Sequence, residues 1–206
     1  MKLNIKTILI SILVAIVIVT SVLLAFNLLN KEEKEPVKEK EVAESLDEYG
    51  YTLDRYASSN YKELYKSLKE LLNTKEYDER EYAKLVAQLF TSDLFTISNK
   101  ISSSDIGGLQ FVYSDFKNDF IKIAQNSLYN NVESDLYDNR TQELPTVIMV
   151  NVKEVTNDTF KYKETIFENA YYISLNITYE KDLGYASDFN VVLVKNNNKL
   201  EVVKAY

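Results

Sequence analysis

The stretch Ala170-Tyr-Tyr-Ile-Ser-Leu-Asn-Ile-Thr-Tyr-Glu-Lys181 decides the fold. Tyr171, Ile173, Leu175, Ile177 and Tyr179 alternate with Tyr172, Ser174, Asn176, Thr178 and Glu180. That period of two marks a strand with one face in a core, and the odd positions are expected to face helices. The same period extends in both directions once Pro145 is passed. Residues 147–155 and 159–167 read as two strands joined by Asn157-Asp158. Residues 187–195 and 199–205 read as a last hairpin around Asn196-Asn197-Asn198, a turn chemistry that tolerates positive φ.

Upstream of Pro145 the period is that of helices. Tyr61, Leu64, Tyr65, Leu68, Leu71 and Leu72 fall on one helical stripe, with Asn60 and Glu63 placed to form a capping box and Asn73 to stop the helix. A second helix follows Asp78, paired with Glu81 in the same way, and carries Tyr82, Leu85, Val86, Leu89, Phe90, Leu94 and Ile97. Residues 102–108 are a polar, Gly-bearing break. Ser114 then caps a third helix with Phe116, Phe120, Ile123, Ala124 and Leu128 on one side. Three helices followed by a strand meander predict an α+β fold, with one antiparallel sheet of about four to five strands covered on one face by helices.

Residues 7–29, which start at Thr7 and end at Leu29, carry no charge and are dominated by Ile, Leu and Val. As a helix they would be about 34 Å long, against a hydrocarbon core of about 30 Å, so a transmembrane helix through the lipid bilayer is expected. The run exceeds the apolar core of a cleaved signal peptide, and its exit, Leu24-Ala25-Phe26-Asn27-Leu28-Leu29, has no Ala-x-Ala. Lys2 and Lys6 make the short N-terminal flank purely basic, which places residues 1–6 in the cytoplasm and residues 31–206 outside the cell membrane. Residues 30–45 read as a charged linker, with Pro36 interrupting any helix. Residues 46–206 read as one extracytoplasmic domain.

Composition removes whole classes of chemistry. The 206 residues include no Cys, no His and no Trp, four Gly and two Pro, with a net charge of −7. Disulfides, iron-sulfur clusters, thiol nucleophiles, the usual zinc sites and the Ser-His-Asp triad are thereby excluded. Residues 42–206 hold 18 Lys and Arg against 26 Asp and Glu, a net −8, so nucleic acid and anionic headgroups are repelled on average. Lys outnumbers Arg 21 to 3 and there are 16 Tyr, a bias that an A/T-rich genome explains without an adhesive surface.

Local motifs for catalysis are thin. Ser59-Asn-Tyr-Lys62 and Ser114-Asp-Phe-Lys117 match the nucleophile tetrad of penicillin-binding enzymes, but no Lys-Thr-Gly or Ser-Asp-Asn accompanies them, and both serines sit at helix starts where capping explains them. Leu144-Pro-Thr-Val147 lacks the rest of a sortase signal and reads as a rigid entry into a strand. No Asp-x-Asp-x-Asp-Gly loop offers a calcium site, and Asp78, Glu79 and Glu81 suit a helix start. No cofactor or metal is expected. The unusual segment is residues 105–113, where Gly107 and Gly108 adjoin in a Gly-poor chain. Such a pair demands positive φ or close approach. One reading is a turn packed on the core; the other is a contact loop in which Asp105, Gly107, Gly108, Gln110 and Tyr113 meet a ligand or partner.

An anchor, a linker, three helices and a curled antiparallel sheet resemble the extracytoplasmic NTF2-like or cystatin-like cups of the VirB8 and TcpC type from conjugation and type IV secretion machines. The segments Tyr49-Gly-Tyr-Thr-Leu53, Tyr61-Lys-Glu-Leu-Tyr-Lys-Ser-Leu-Lys-Glu-Leu-Leu72, Asp93-Leu-Phe-Thr-Ile-Ser-Asn-Lys100, Asp105-Ile-Gly-Gly-Leu-Gln-Phe-Val-Tyr113 and Leu144-Pro145 are similar to single-pass membrane proteins of low-GC Gram-positive bacteria. The resemblance implies lineage and topology and transfers no functional residue. The expectation is a non-catalytic, membrane-tethered domain with a protein partner at the cell envelope. A small-ligand-binding cup and a carboxylate-based hydrolase are the alternatives.

Overall fold

The computed structural model describes residues 41–162 and 164–206. The anchor at residues 7–29 and most of the linker lie outside them. Among the described residues, no helix is long and apolar enough to cross a membrane.

The chain enters through a two-stranded hairpin, β1 (Val42–Leu46) and β2 (Tyr51–Asp54), closed by Gly50 at φ +66°. The helices α1 (Ser59–Leu72) and α2 (Glu79–Phe95) follow. A 3₁₀ turn (Ser114–Phe116) leads into α3 (Lys117–Asn126). An antiparallel meander then runs β3 (Val147–Tyr162), β4 (Thr165–Tyr179), β5 (Asp188–Asn196) and β6 (Lys199–Ala205), in the spatial order β3-β4-β5-β6. The architecture is α+β, with a four-stranded antiparallel sheet and a separate two-stranded one.

The deciding stretch sits in β4 as its alternation requires. Tyr171, Ile173, Leu175 and Ile177 are buried in the core that they share with Tyr65, Leu68, Tyr82, Val86, Leu89 and Phe90 of the helices. The last hairpin also forms as expected, with Asn197 at φ +55° in its turn.

Several expectations need correction. Residues 42–45 belong to β1 rather than to the linker. The linker's charge pattern hides them, because only Leu46 of this strand packs on the core and the pairing with Tyr51–Asp54 supplies the rest. Asn157-Asp158 is not a turn: β3 runs through it to Tyr162, with Asn157 opposite Tyr171 and Asp158 opposite Ala170, and the next register shift falls beyond them, between Asp158 and Phe160. The expected strand 159–167 therefore straddles the hairpin turn. Helix α1 is capped by Ser58, whose Oγ accepts from the Tyr61 amide at 3.2 Å, while Asn60 Nδ2 donates to Ser92 Oγ. Ser114 starts the 3₁₀ turn with its hydroxyl donating to Asp115. In α3 only Ala124 is buried, leaving Ile123 68% exposed.

The outer face of the sheet carries a second, smaller core. Val192 and Val194 alternate with Val191 and Leu193, so they point away from the helices. With Ala170 and Val203 they are covered by Tyr113, Phe116, Phe160, Phe167 and Tyr172. The β3–β4 hairpin extends past β5, and its aromatic rings meet the 3₁₀ turn there, Phe116 lying 4.3 Å from Tyr162 and Tyr113 5.8 Å from Phe167 between centroids.

Each outer edge of the sheet is tied to the rest of the domain at a few points. On β6, the Val202 amide donates to Phe111 O at 2.7 Å and Val202 O accepts from the Tyr113 amide at 3.0 Å. On β3, Gln88 Nε2 donates to Val150 O at 2.7 Å, Arg80 donates to Val155 O, and Pro145 O accepts from the Ile97 and Ser98 amides.

The burial pattern predicts opposite outcomes for two isoleucines. Ile173→Ala is expected to cost about 2 to 5 kcal/mol, and Ile123→Ala no more than about 0.5 kcal/mol, as urea unfolding of the two variants would show.

Candidate functional site

The loop at residues 105–113 is built against α2. A Cβ on Gly107 would fall on the Asp93 carbonyl oxygen and lie 3.0 Å from Leu94 Cα; Gly108 has φ +76°, and a Cβ there would meet the Phe90 ring at 2.8 Å. Both glycines are therefore required by close approach, and Gly108 also by its left-handed backbone. The Asp93 carboxylate organises the crossing. Its Oδ1 takes Lys100 Nζ at 2.6 Å and its Oδ2 accepts the Gly108 amide at 2.7 Å, with Lys100 only 3% exposed. Tyr129 completes the seat, accepting the Gly107 amide at 3.1 Å and donating to Leu94 O at 2.6 Å. Burial pushes the Tyr129 hydroxyl far above the ordinary tyrosine value.

The five residues singled out for contact go in three directions. Gln110 is spent internally: Oε1 accepts the Thr52 amide at 2.7 Å, and Nε2 donates to Thr52 O at 3.0 Å and to Tyr61 Oη at 2.8 Å. This two-sided clasp fastens β2 to the loop. Asp105 Oδ2 accepts the Ile101 amide at 3.2 Å. Gly107 and Gly108 are buried. Tyr113 lies on the outer face of the sheet, edge-on to Phe116 and Phe167. The structure thus brings Gly107, Gly108 and Gln110 together against the helices, and separates Asp105 and Tyr113 from them.

Asp93, Lys100 and Arg140 stand in no motif; the one signal in the sequence is an acid on a helix's apolar stripe, Asp93 following Leu89 by four.

The space between helices and sheet, where a cup would open, is filled. Tyr51, Tyr65, Tyr82, Tyr129, Phe90 and Phe111 are all less than 2% exposed. The hydroxyls of the four tyrosines are paired within the domain. Tyr51 and Tyr82 Oη lie 2.8 Å apart, Tyr51 donates to Leu200 O at 2.8 Å, and the Leu200 amide donates to both at 3.1 Å. Burial drives both hydroxyls well above the ordinary tyrosine range. A small cleft of about 140 Å³ lies at the surface, lined by Glu143, Leu144, Pro145, Thr146, Glu180, Lys181 and Leu183. It is below the size of ligand pockets.

The carboxylates with displaced titration are stabilised in their charged form. Glu79 is held below the ordinary value by Lys195, which donates to Oε1, and by Tyr171, which donates to Oε2 at 3.0 Å. Asp188 is lowered by Asn176 and Lys153. A general acid requires the opposite shift. Ser59 and Lys62 are exposed on the first turn of α1. Among the described residues, no group of three acids is placed to hold a metal ion.

Compared with known protein families, with curated proteins and with solved structures, the chain has no match.

Two measurements check this geometry. Gly107→Ala is expected to unfold the domain or cost more than about 3 kcal/mol, because backbone must move. Gly184→Ala, at φ +78° but in open space, is expected to cost about 1 kcal/mol. The Glu79–Lys195 pair stabilises only while both groups are charged. Its contribution is full above the ordinary glutamate value of 4.5 and is lost as pH falls through the lowered folded value. On the alkaline side it is full below the ordinary lysine value of 10.5 and is lost as pH rises through the raised one. Both side chains are nearly half exposed, so Glu79→Gln should flatten the acid limb of a pH–stability curve by no more than about 1 kcal/mol.

Proposed function

We propose that the chain is a membrane-anchored, extracytoplasmic protein-interaction domain that assembles with a protein partner at the cell envelope and performs no catalysis of its own. The observation that carries this reading is the filled interior. Six large aromatic side chains are buried in the interior, and the hydroxyls of the four tyrosines among them are bonded to one another or to backbone of the domain. Recognition is then left to the outside. The apolar segment of residues 7–29 supports the anchor, and the basic flank of Lys2 and Lys6 supports an outward-facing domain.

At the level of fold, we propose the NTF2-like arrangement of the VirB8 and TcpC type. Helices α1 and α2 packed against a long, bulged antiparallel meander support it, and here large aromatic side chains are buried between them. That burial disfavours a small-ligand cup. The lowered titration of Glu79 and Asp188 disfavours a hydrolase that needs a protonated carboxyl.

The test uses the full chain in its own membrane. Protease added outside intact protoplasts is expected to digest residues 41–206. Mild detergent extraction is expected to yield a complex larger than the chain, lost when the chain is truncated after residue 41. Turnover of an envelope substrate by the purified chain, abolished by changing one carboxylate to its amide, would overturn the reading.

A further inference from the structure

The loop at residues 133–140 shows the largest exposed aromatic surface of the described residues on a backbone that is held from beneath. Tyr137 is 81% exposed and Leu136 42%. Under them lies Arg140, whose side chain is only 5% exposed. Its Nη1 donates to Lys100 O at 2.8 Å and to Glu133 O at 3.3 Å, and its Nη2 donates to Ser98 O at 2.9 Å. Asp135 closes the loop on itself: Oδ1 accepts the Arg140 amide at 2.9 Å, its carbonyl accepts the Asp138 amide at 3.1 Å, and its own amide donates to Ile101 O at 2.7 Å. Asp138 lies at φ +52°, a left-handed turn conformation that Asp and Asn adopt more readily than other residues with a Cβ.

We propose that this loop is the contact element of the domain, with Leu136 and Tyr137 entering an apolar pocket of a partner protein whose rim carries Lys or Arg. The proposal rests on the protein-interaction reading and names the surface and the chemistry of the partner. Tyrosine on a pre-set backbone loses little entropy on binding and is enriched at the centres of interfaces. Charge fixes the partner's rim. Glu133 and Asp138 are exposed, Asp135 is half-buried, and the one cation of the loop, Arg140, is turned inward. The loop therefore shows acid around its apolar pair, on a domain of net −8, and a basic rim is the complementary surface.

The segment at residues 105–113 takes a different role in this arrangement. Asp105 holds the Ile101 amide, and Ile101 O holds the Asp135 amide. Lys100, fixed by Asp93, presents its carbonyl to Arg140. Asp105, Asp93 and Arg140 are positioning residues for Leu136 and Tyr137.

The experiment places p-benzoylphenylalanine at Tyr137 in one strain and at Ile123, also exposed, in another, each in the full-length chain. Illumination of intact cells is expected to give a discrete adduct from position 137 and none from 123. Its yield should fall at least about tenfold when Glu133→Lys and Asp138→Lys are added. Sequencing should place the captured residue beside Lys or Arg. Arg140→Lys, which keeps the charge but cannot bridge three carbonyls, should lower the yield while circular dichroism of the purified chain stays unchanged. An adduct from 123 but not 137, an adduct with a second copy of this chain, or a yield indifferent to charge reversal would each overturn the proposal. So would a co-isolated complex that survives Leu136→Ala with Tyr137→Ala, an outcome that leaves the interaction reading standing. Loss of the complex in that double variant, with folding intact, supports the proposal.

Discussion

The Asp93 carboxylate is the constraint on which most of the domain's non-repetitive structure depends. A single acid on the buried side of α2 takes the Lys100 ammonium on one oxygen and the Gly108 amide on the other. Removing either partner would leave a charge in a site where burial is nearly complete, a change that costs about 3 to 5 kcal/mol in comparable pairs. The paired state in turn fixes two segments that have no ladder of their own. The Gly107–Gly108 turn is pressed onto α2, and the stretch from Ser98 to Ile101 becomes the platform on which Arg140 and Asp135 rest. Regular elements need no such centre, because helix and sheet satisfy their own backbone.

Tyrosine serves this protein as a core residue with an internal polar address. Tyr51 and Tyr82 jointly hold the backbone of Leu200, Tyr65 donates to Tyr51 O, and Tyr129 bridges Leu94 and Gly107. Each buries a large ring and links two segments distant in sequence by its hydroxyl. A core of Leu would bury similar area without specifying which strand meets which helix. The abundance of Tyr, which composition alone assigns to codon bias, is thus used structurally at the positions that matter most.

What the sequence shows depends on whether a periodicity exists to be read. The β4 alternation and the α1 and α2 stripes are legible because burial repeats with the geometry of the element. The α3 stripe misleads: Ile123 continues it but points to solvent, since α3 is short and only Ala124 of it is buried. The β3–β4 turn is hidden because Asn157-Asp158 has the chemistry of a turn yet pairs in the ladder with Tyr171 and Ala170. The cap of α1 shifts by two because Asn60 finds a better partner in Ser92. The Gly-Gly signal is genuine in that both glycines are required. Composition could not say whether the requirement comes from a ligand or from the chain's own helix, and the atoms that a Cβ would strike belong to Asp93, Leu94 and Phe90.

The absence of Cys and His acquires a sharper meaning against this structure. A chain so limited in chemistry can still act through carboxylates, lysines and tyrosines. Here those groups are tied up in one another: Asp93 with Lys100, Glu79 with Lys195 and Tyr171, Asp188 with Lys153 and Asn176, and Glu201 with Asn196 and Lys199. For Glu79 and Asp188 the pairing stabilises the charged form, opposite to the shift that a general acid needs. The same pairing makes the domain a rigid display, because the cross-links run from the β1–β2 hairpin through the loops to both edges of the sheet. In the interaction reading proposed here, exposed side chains are the means by which the domain meets another molecule, and the strength of that meeting depends on how firmly each is held from below.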